Sequence, residues 1–489
     1  MLPLNRTNPD RTGGAPHRRT LPRVRRLKVD SLAFAMLEAA RASLAVRNGR
    51  SLPDALATIF ARIDATPGAT AGGTSGAAPG AASRQARGAV QDLAYRAMRQ
   101  RGLADALIKR LTGERTLEPP LVRELLVVAL SLLLASARTR RGATEAAPPY
   151  PAFTVVDQAV EAAKATAELA RLAGLVNAVL RNFVRDPNVH RAFAADGDAV
   201  AAWNHPLWWI ERLRQAYPAV WEEQLRVNGE PPPMTLRVNL ARTHPAQVLA
   251  RFAEAGIGAR RIGSCALRLD APLPVERIPG FAEGLVSVQD EAAQRAAPLL
   301  DLDDGMRVLD ACAAPGGKTG HMLEIADLDL VALDSDAARL ARVADNLTRL
   351  GLANPARQRL IVGDAGRPAD WWDGVPFDRI LADVPCSASG IVRRHPDIRW
   401  LRRDEDIDAL ARTQEQLLDT LWPLLAPGGK LLYVTCSIFP EESLRQAQAF
   451  AARYDNAHVL PAPGQVLPEA NAEEDHDGLF FALFEKLPG

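Results

Sequence analysis

The chain has little cysteine: 4 in 489 residues, at positions 265, 312, 386 and 436. No two lie close together, which argues against a disulfide framework and against a CxxC zinc site. Histidine is sparse too, with 8 scattered residues, none at metal-ligand spacing from another or from a cysteine. No metal is expected. Net charge is also lacking: Lys plus Arg total 59 against 58 for Asp plus Glu, a formal charge of +1. Any nucleic-acid binding must therefore come from local patches. The longest apolar run, LLVVALSLLLA from Leu125 to Ala135 behind Arg123 and Glu124, is about half a membrane span and reads as a buried helix. No secretory signal is recognisable. The first 28 residues are Arg-rich with a single acid and little apolar face, which predicts a disordered basic arm rather than a transit peptide. A cytoplasmic monomer of roughly three domains is expected.

What is present falls into four parts. After the arm (1–28), residues 29–195 carry apolar positions at helical spacing and predict an all-α domain. Residues 29 to about 62 read as helix. A Gly/Ala/Ser/Pro tract near 63–83 and the segment TRRGATEAAPPYP interrupt the domain as loops. Residues 196–300 begin with an aromatic helical stretch and continue as a small α+β unit. From 301 to 489 strands and helices alternate: MRVLDACAAPGGKTGHML, LVALDSDAARLARVADNLTRLG, RLIVGDA, FDRILADVPCS, GGKLLYVTCS. That alternation predicts a parallel, doubly wound α/β sheet.

Such sheets bind ligands beyond the C-terminal ends of their strands. In ACAAPGGKT, Gly316 and Gly317 let the backbone approach a ligand, and the helix that follows favours negative charge. A P-loop needs glycine where Cys312 stands, so the phosphate cradle is incomplete. Acids close three successive strands, Asp310, Asp334 and Asp364. Asp334 is placed to accept from a ribose diol, and Asp364 to meet an adenine amino group. With no kinase or ATPase parts, the pattern points to S-adenosylmethionine.

Two further strand ends carry cysteine: ADVPCSASG, with Asp383 and Cys386, and LLYVTCS, with Cys436. C5 of a pyrimidine is a poor nucleophile. Adding a thiolate to C6 makes C5 enamine-like and able to take a methyl group. That route also needs an acid or hydrogen-bond donor at N3, and later removal of the C5 proton. Cys436, Cys386 and Asp383 are the candidates. The competing reading makes each cysteine a small buried hydrophobe.

Together ACAAPGGKT, DVPCSASG and VTCS resemble the RNA 5-methylcytosine methyltransferases of the NOL/NOP/Sun family, from residue 200 to the end. GIVRRHPDIRWLRRDED, NHPLWWIERLRQAYP, PPMTLRVN and VSVQDEAAQ are similar to its bacterial ribosomal-RNA branch. FTVVDQAVEAAK and GLVNAVLRNF resemble the NusB-type RNA-binding domain of those proteins. The resemblance implies a NusB-like all-α domain, a small α+β subdomain and a Rossmann-like class I methyltransferase domain acting on small-subunit (16S) ribosomal RNA. It implies that Cys436 is the nucleophile, that Cys386 assists release from C6, and that Asp383 contacts the base. DNA cytosine methyltransferases instead use the cysteine of their PC motif as nucleophile. The cofactor would be held by Cys312, Ala313, Ala314, Pro315, Gly316, Gly317 and Lys318, with Asp334, Asp364 and Asp383. The long Ala/Gly loop and the basic arm depart from the family and bear on RNA docking.

The run RRHPDIRWLRR, residues 393–403, places five arginines around Trp400 just after the PC motif. It reads as an RNA contact, with arginines on phosphates and the indole on an unpaired base; His395 reads as a local hydrogen-bonding residue. The rival function is a noncatalytic NusB-type RNA-binding or antitermination factor.

Overall fold

The computed structural model describes residues 26–65, 80–139, 150–186, 197–470 and 475–488. Residues 1–25 of the basic arm, the Ala/Gly tract from 66 to 79 and residues 140–149 lie outside the described residues.

Seven helices open the described chain: α1 (Leu32–Arg47), α2 (Leu52–Asp64), α3 (Ala81–Arg99), α4 (Arg101–Thr112), α5 (Pro120–Thr139), α6 (Ala152–Lys164) and α7 (Ala173–Arg185). The single helix expected over 29–62 is two. Gly49 takes φ +92°, and the Ser51 hydroxyl then caps a new helix by accepting from the Asp54 amide. The apolar run of α5 lies at the centre of this unit, with Val127 to Leu130 fully buried. Among the described residues no helix is long and apolar enough to cross a membrane.

Three short helices, α8 (Ala199–Trp203), α9 (Leu207–Ala216) and α10 (Trp221–Asn228), lead out of the helical unit. The aromatic helical stretch packs onto the C-terminal domain: Trp209, Ile210 and Leu213 share a core with Val392, Ile407 and Phe439. A four-stranded antiparallel sheet follows, built from β1 (Thr235–Val238), β2 (Ala259–Arg261), β3 (Ala266–Leu269) and β4 (Val286–Val288) in the order β2-β3-β1-β4. Helix α11 (Pro245–Glu254) covers it through Val248 and Phe252. Two single-turn helices, α12 (Glu291–Gln294) and α13 (Ala296–Leu299), lead into the last domain.

Its strands are β5 (Arg307–Asp310), β6 (Asp329–Asp334), β7 (Gln358–Val362), β8 (Phe377–Asp383) and β9 (Leu425–Thr435). Helices α14 (Gly317–Ile325), α15 (Ala337–Leu350), α16 (Ile398–Leu401), α17 (Asp404–Leu421) and α18 (Leu444–Arg453) connect or flank them. Strands β10 (Ala457–Val466) and β13 (Leu479–Lys486) complete the sheet, and β11 (Glu469–Ala470) with β12 (Asp475–His476) forms a separate ribbon. The sheet runs β10-β13-β9-β8-β5-β6-β7, parallel from β9 to β7 and antiparallel at β13 and β10. β5 has β6 on one side and β8 on the other, so the strand order reverses beside it and a crevice opens above its C-terminal end.

One buried ion pair ties the four-stranded sheet to this crevice. Arg237 of β1 donates from Nε and Nη2 to both oxygens of Glu324 in α14, at 2.9 and 2.7 Å, and from Nη1 to the Gly317 carbonyl at 2.7 Å. Removing one partner of such a pair strands the other charge in the interior. Arg237→Ala should therefore lower stability by about 3–5 kcal/mol, measured by urea unfolding. A change of only a few tenths would mean the pair is dispensable.

The arginine run is corrected by the structure. Arg393 is 1% exposed and pairs with Asp475 at 2.8 Å, while Arg394 bridges Asp290 and Asp477. Fully buried Arg399 donates to the Asn228 carbonyl at 2.7 Å, and Trp400 packs on the helical core while its Nε1 donates to the Met98 carbonyl at 2.8 Å. Guanidiniums committed to internal acceptors cannot reach phosphates, so this segment is the joint between the helical and C-terminal domains. Asp397 completes it by accepting from the Leu52 amide at 2.8 Å. Of the five, Arg403 alone is exposed. His395 is largely buried, which lowers its pKa.

Candidate active site

β5 ends in Asp310, and the chain turns through 311–316 into α14. Gly316 takes φ +95°, and a Cβ there would meet the Val343 Cα at 3.1 Å, so the turn needs glycine on both counts. Asp310 does not reach the crevice. It is 1% exposed beneath the turn, accepts from the Thr319 hydroxyl at 2.7 Å, and has its carboxyl pushed up to about 7 by burial. Its work is to hold the turn.

β6 ends in Asp334, whose Oδ2 accepts from the Ala314 amide at 3.2 Å and Oδ1 from the Asp336 amide at 3.0 Å. Each carboxylate oxygen keeps a lone pair for a further donor. Asp364 stands two residues beyond β7 rather than at its end. The Gly366 amide turns its Oδ1 inward at 2.8 Å, and the residue is exposed.

The cysteines meet because β8 and β9 run parallel in register. Asp383 lies opposite Val434, so the residues just beyond each strand, Cys386 and Cys436, leave the sheet side by side. Their sulfurs are 3.3 Å apart. Cys386 is buried, and its thiol is pushed well above the usual range, first by the hydrogen bond with Cys436 and then by burial. Cys436 is partly exposed. Asp383 accepts from Lys318 Nζ at 2.6 Å. Burial disfavours the ammonium, but the Asp383 carboxylate outweighs it and raises the Lys318 pKa.

A cavity of about 450 Å³ joins these parts, within the range of about 300–1,000 Å³ usual for small-molecule sites. Cys312, Ala314, Pro315, Asp334, Asp364, Asp383, Cys386 and Cys436 all stand on its wall. Ala313, Gly316, Gly317 and Lys318 do not line it, although Lys318 reaches its edge through the ion pair with Asp383. Burial, and next the surrounding carboxylates led by Asp383, push the Cys312 thiol far up, so it stays neutral. Among the described residues no group of three or more His, Cys, Asp or Glu is arranged to hold a metal ion.

Several site residues had no sequence signal. Arg339 donates to the Ala314 carbonyl at 3.0 Å and approaches Asp334 at 3.8 Å on the cavity wall. Arg402, one of the five arginines read as an RNA contact, instead donates to the Ser387 and Cys386 carbonyls at 3.1 and 3.2 Å, fixing the loop after β8. A buried acid, Glu442, lies behind both cysteine loops. The doublet Glu441–Glu442 after the TCS stretch reads as ordinary turn acid until the fold buries its second member.

Family profiles match three parts of the chain: "16S rRNA methyltransferase RsmB/F" over 297–484, the RsmF/B-like ferredoxin-like domain over 205–276, and the NusB family over 64–185. A protein named ribosomal RNA small subunit methyltransferase B from Vibrio vulnificus is 45% identical over 344 residues, spanning 69% of this chain and 79% of that protein. The protein of that name from Vibrio cholerae is 46% identical, spanning 69% and 77% respectively. The crystal structure of PH0851 superposes with a TM-score of 0.71 at 23% identity, covering 95% of this chain and all of that one, and supports the fold. With these domains in this order and relatives alike over most of their length, the chain belongs to the RsmB/F family of methyltransferases.

Proposed function

We propose that this enzyme methylates C5 of a cytosine in 16S ribosomal RNA through a transient covalent bond between Cys436 and C6 of the base. The observation that carries this reading is the approach of the two sulfurs to 3.3 Å on the wall of the crevice cavity. The names of the relatives point to small-subunit ribosomal RNA, and such a substrate places the work in the bacterial cytoplasm.

S-adenosylmethionine is the cofactor and supplies an electrophilic methyl group. The donor set fits it: backbone of the glycine turn for close approach, the Asp334 carboxylate for a ribose diol, and Asp364 beyond β7 for the adenine edge. Asp334→Ala should weaken binding by about 1–3 kcal/mol, because diol hydroxyls lose a charged acceptor. Unchanged affinity by calorimetry would move the ribose elsewhere.

In the chemistry we assign to the chain's residues, the Cys436 thiolate forms a bond to C6, and the C5–C6 π electrons become available at C5. The Lys318 ammonium, held at the cavity wall by Asp383, faces the negative charge that develops at N3 and O2 and stabilises it by donating a hydrogen bond. After methylation a base removes the C5 proton, the C5–C6 double bond re-forms, and the Cys436 sulfur leaves. Cys386 assists this elimination from 3.3 Å away. The antitermination reading is disfavoured, since it has no use for the cavity or for the cysteine pair.

The test is direct. Enzyme incubated with methyl-labelled S-adenosylmethionine and 16S ribosomal RNA, followed by digestion to nucleosides, should give label in 5-methylcytidine. Label in another nucleoside would contradict the C5 assignment.

A further inference from the structure

The loops that carry the two cysteines are held by one carboxylate. Glu442 follows β9 in a single 3₁₀ turn and is fully buried. Its Oε1 accepts from the Ser387 amide at 2.7 Å and from Gln414 Nε2 at 3.1 Å, and its Oε2 from the Ser437 hydroxyl at 2.6 Å. Ser387 follows Cys386 and Ser437 follows Cys436, so this one side chain grips the residue next to each thiol.

The grip is braced from several elements. Gln414 of α17 also donates to the Pro385 carbonyl at 3.0 Å. The Tyr433 hydroxyl of β9 donates to the Glu442 carbonyl at 2.8 Å and to Gln414 Oε1 at 3.2 Å. All three partners of the carboxylate donate, which fits its ionised form; burial raises its pKa and these donors oppose that rise. The Glu442 carboxylate thus lies behind the loop of the buried thiol as well as that of the partly exposed one, while Lys318 is held by Asp383 at the cavity wall.

We propose that Glu442 is a positioning residue that sets the division of labour between the thiols. It holds Cys386 and Cys436 within proton-sharing distance and keeps the pair's remaining proton on Cys386, leaving Cys436 as the attacking sulfur. One proton leaves the pair to solvent, and the other stays on Cys386 Sγ and is donated to Cys436 Sγ. The inference rests on the covalent reading above. The raised Cys386 pKa agrees with it: the hydrogen bond with Cys436 raises it most, and burial and the Glu442 charge act in the same direction.

The experiment compares wild-type enzyme with Glu442→Gln, which keeps the volume and removes the charge, and Ser437→Ala, which cuts only the tie on the Cys436 side. Iodoacetamide labelling at neutral pH, mapped by mass spectrometry, reads the two thiols separately, alongside kcat, KM for RNA and the melting temperature. Wild type should label at Cys436 in preference to Cys386. In Glu442→Gln that preference should fall by about tenfold, the equivalent of one pKa unit. Its kcat should fall by roughly a hundredfold with KM for RNA little changed, the mark of lost transition-state stabilisation. Ser437→Ala should move both readouts the same way by less, and it decides the matter if Glu442→Gln does not melt cooperatively. Mere loosening exposes the buried Cys386 and raises its labelling without slowing Cys436, whereas moving the shared proton slows Cys436, so an unchanged Cys436 rate in a folded variant overturns the proposal. Wild-type labelling that favours Cys386 would instead overturn the choice of Cys436 as attacker. If Glu442→Gln still shifted that ratio, Glu442 would keep its hold on the pair.

Discussion

Cys436→Ala should abolish methyl transfer, lowering kcat by roughly 10³-fold or more, as loss of an essential nucleophile does. C5 of cytosine has little nucleophilic character until a sulfur occupies C6, and no other thiol is placed to substitute. Cys386 is buried, and without Cys436 its pKa is still raised by burial and by the Glu442 carboxylate; Cys312 is held neutral by burial and the surrounding carboxylates, and Cys265 is buried away from the site with its pKa raised by burial. S-adenosylmethionine affinity should be nearly unchanged, because the glycine turn, Asp334 and Asp364 form the seat proposed for it. Methyl-label incorporation and calorimetry on the same preparation check both halves. Activity within tenfold of wild type would rule out the covalent route.

Cys386→Ala should behave in the opposite manner. Attack and methylation need only Cys436, so they persist. Elimination loses the group standing 3.3 Å from the bonded sulfur, and the reaction should stall after methylation. A covalent protein–RNA complex should accumulate and survive a denaturing gel, approaching one equivalent of enzyme while turnover falls by roughly a hundredfold. If the complex accumulates in Cys436→Ala instead, the roles are exchanged and the logic of the DNA enzymes applies. The two variants differ by the loss of one small buried or half-buried group each, so opposite outcomes cannot be attributed to a common defect in folding.

Much of the site was legible because short-range pattern and chemistry coincide there. Apolar runs ending in Asp334, Asp383 and Thr435 mark strands whose ends carry functional groups, and a parallel sheet brings such ends to one edge. The meeting of Cys386 and Cys436 followed from two strand-end motifs, although only the register of β8 against β9 makes it a contact. Asp310 and Asp364 show the limit. One turns under the loop it precedes and the other sits two residues past its strand, differences set by local hydrogen bonds that spacing does not encode. Residues 393–403 misled for a physical reason. Arginine beside tryptophan has the same composition whether it meets phosphate or a partner domain, and only burial distinguishes the two. Glu442 escaped notice for the same reason, since a buried acid and a turn acid are identical in sequence.

The central claim is that Cys436, and not Cys386, bonds to C6 of a cytosine. It is tested most directly by trapping the wild-type enzyme on 16S ribosomal RNA transcribed with 5-fluorocytidine, in the presence of S-adenosylmethionine. Fluorine at C5 leaves no proton to remove, so the intermediate cannot eliminate. Proteolysis and mass spectrometry of the trapped complex should place a methylated fluorocytosine on the peptide that contains Cys436. Attachment to Cys386, or no covalent complex while ordinary RNA is methylated, would contradict the account.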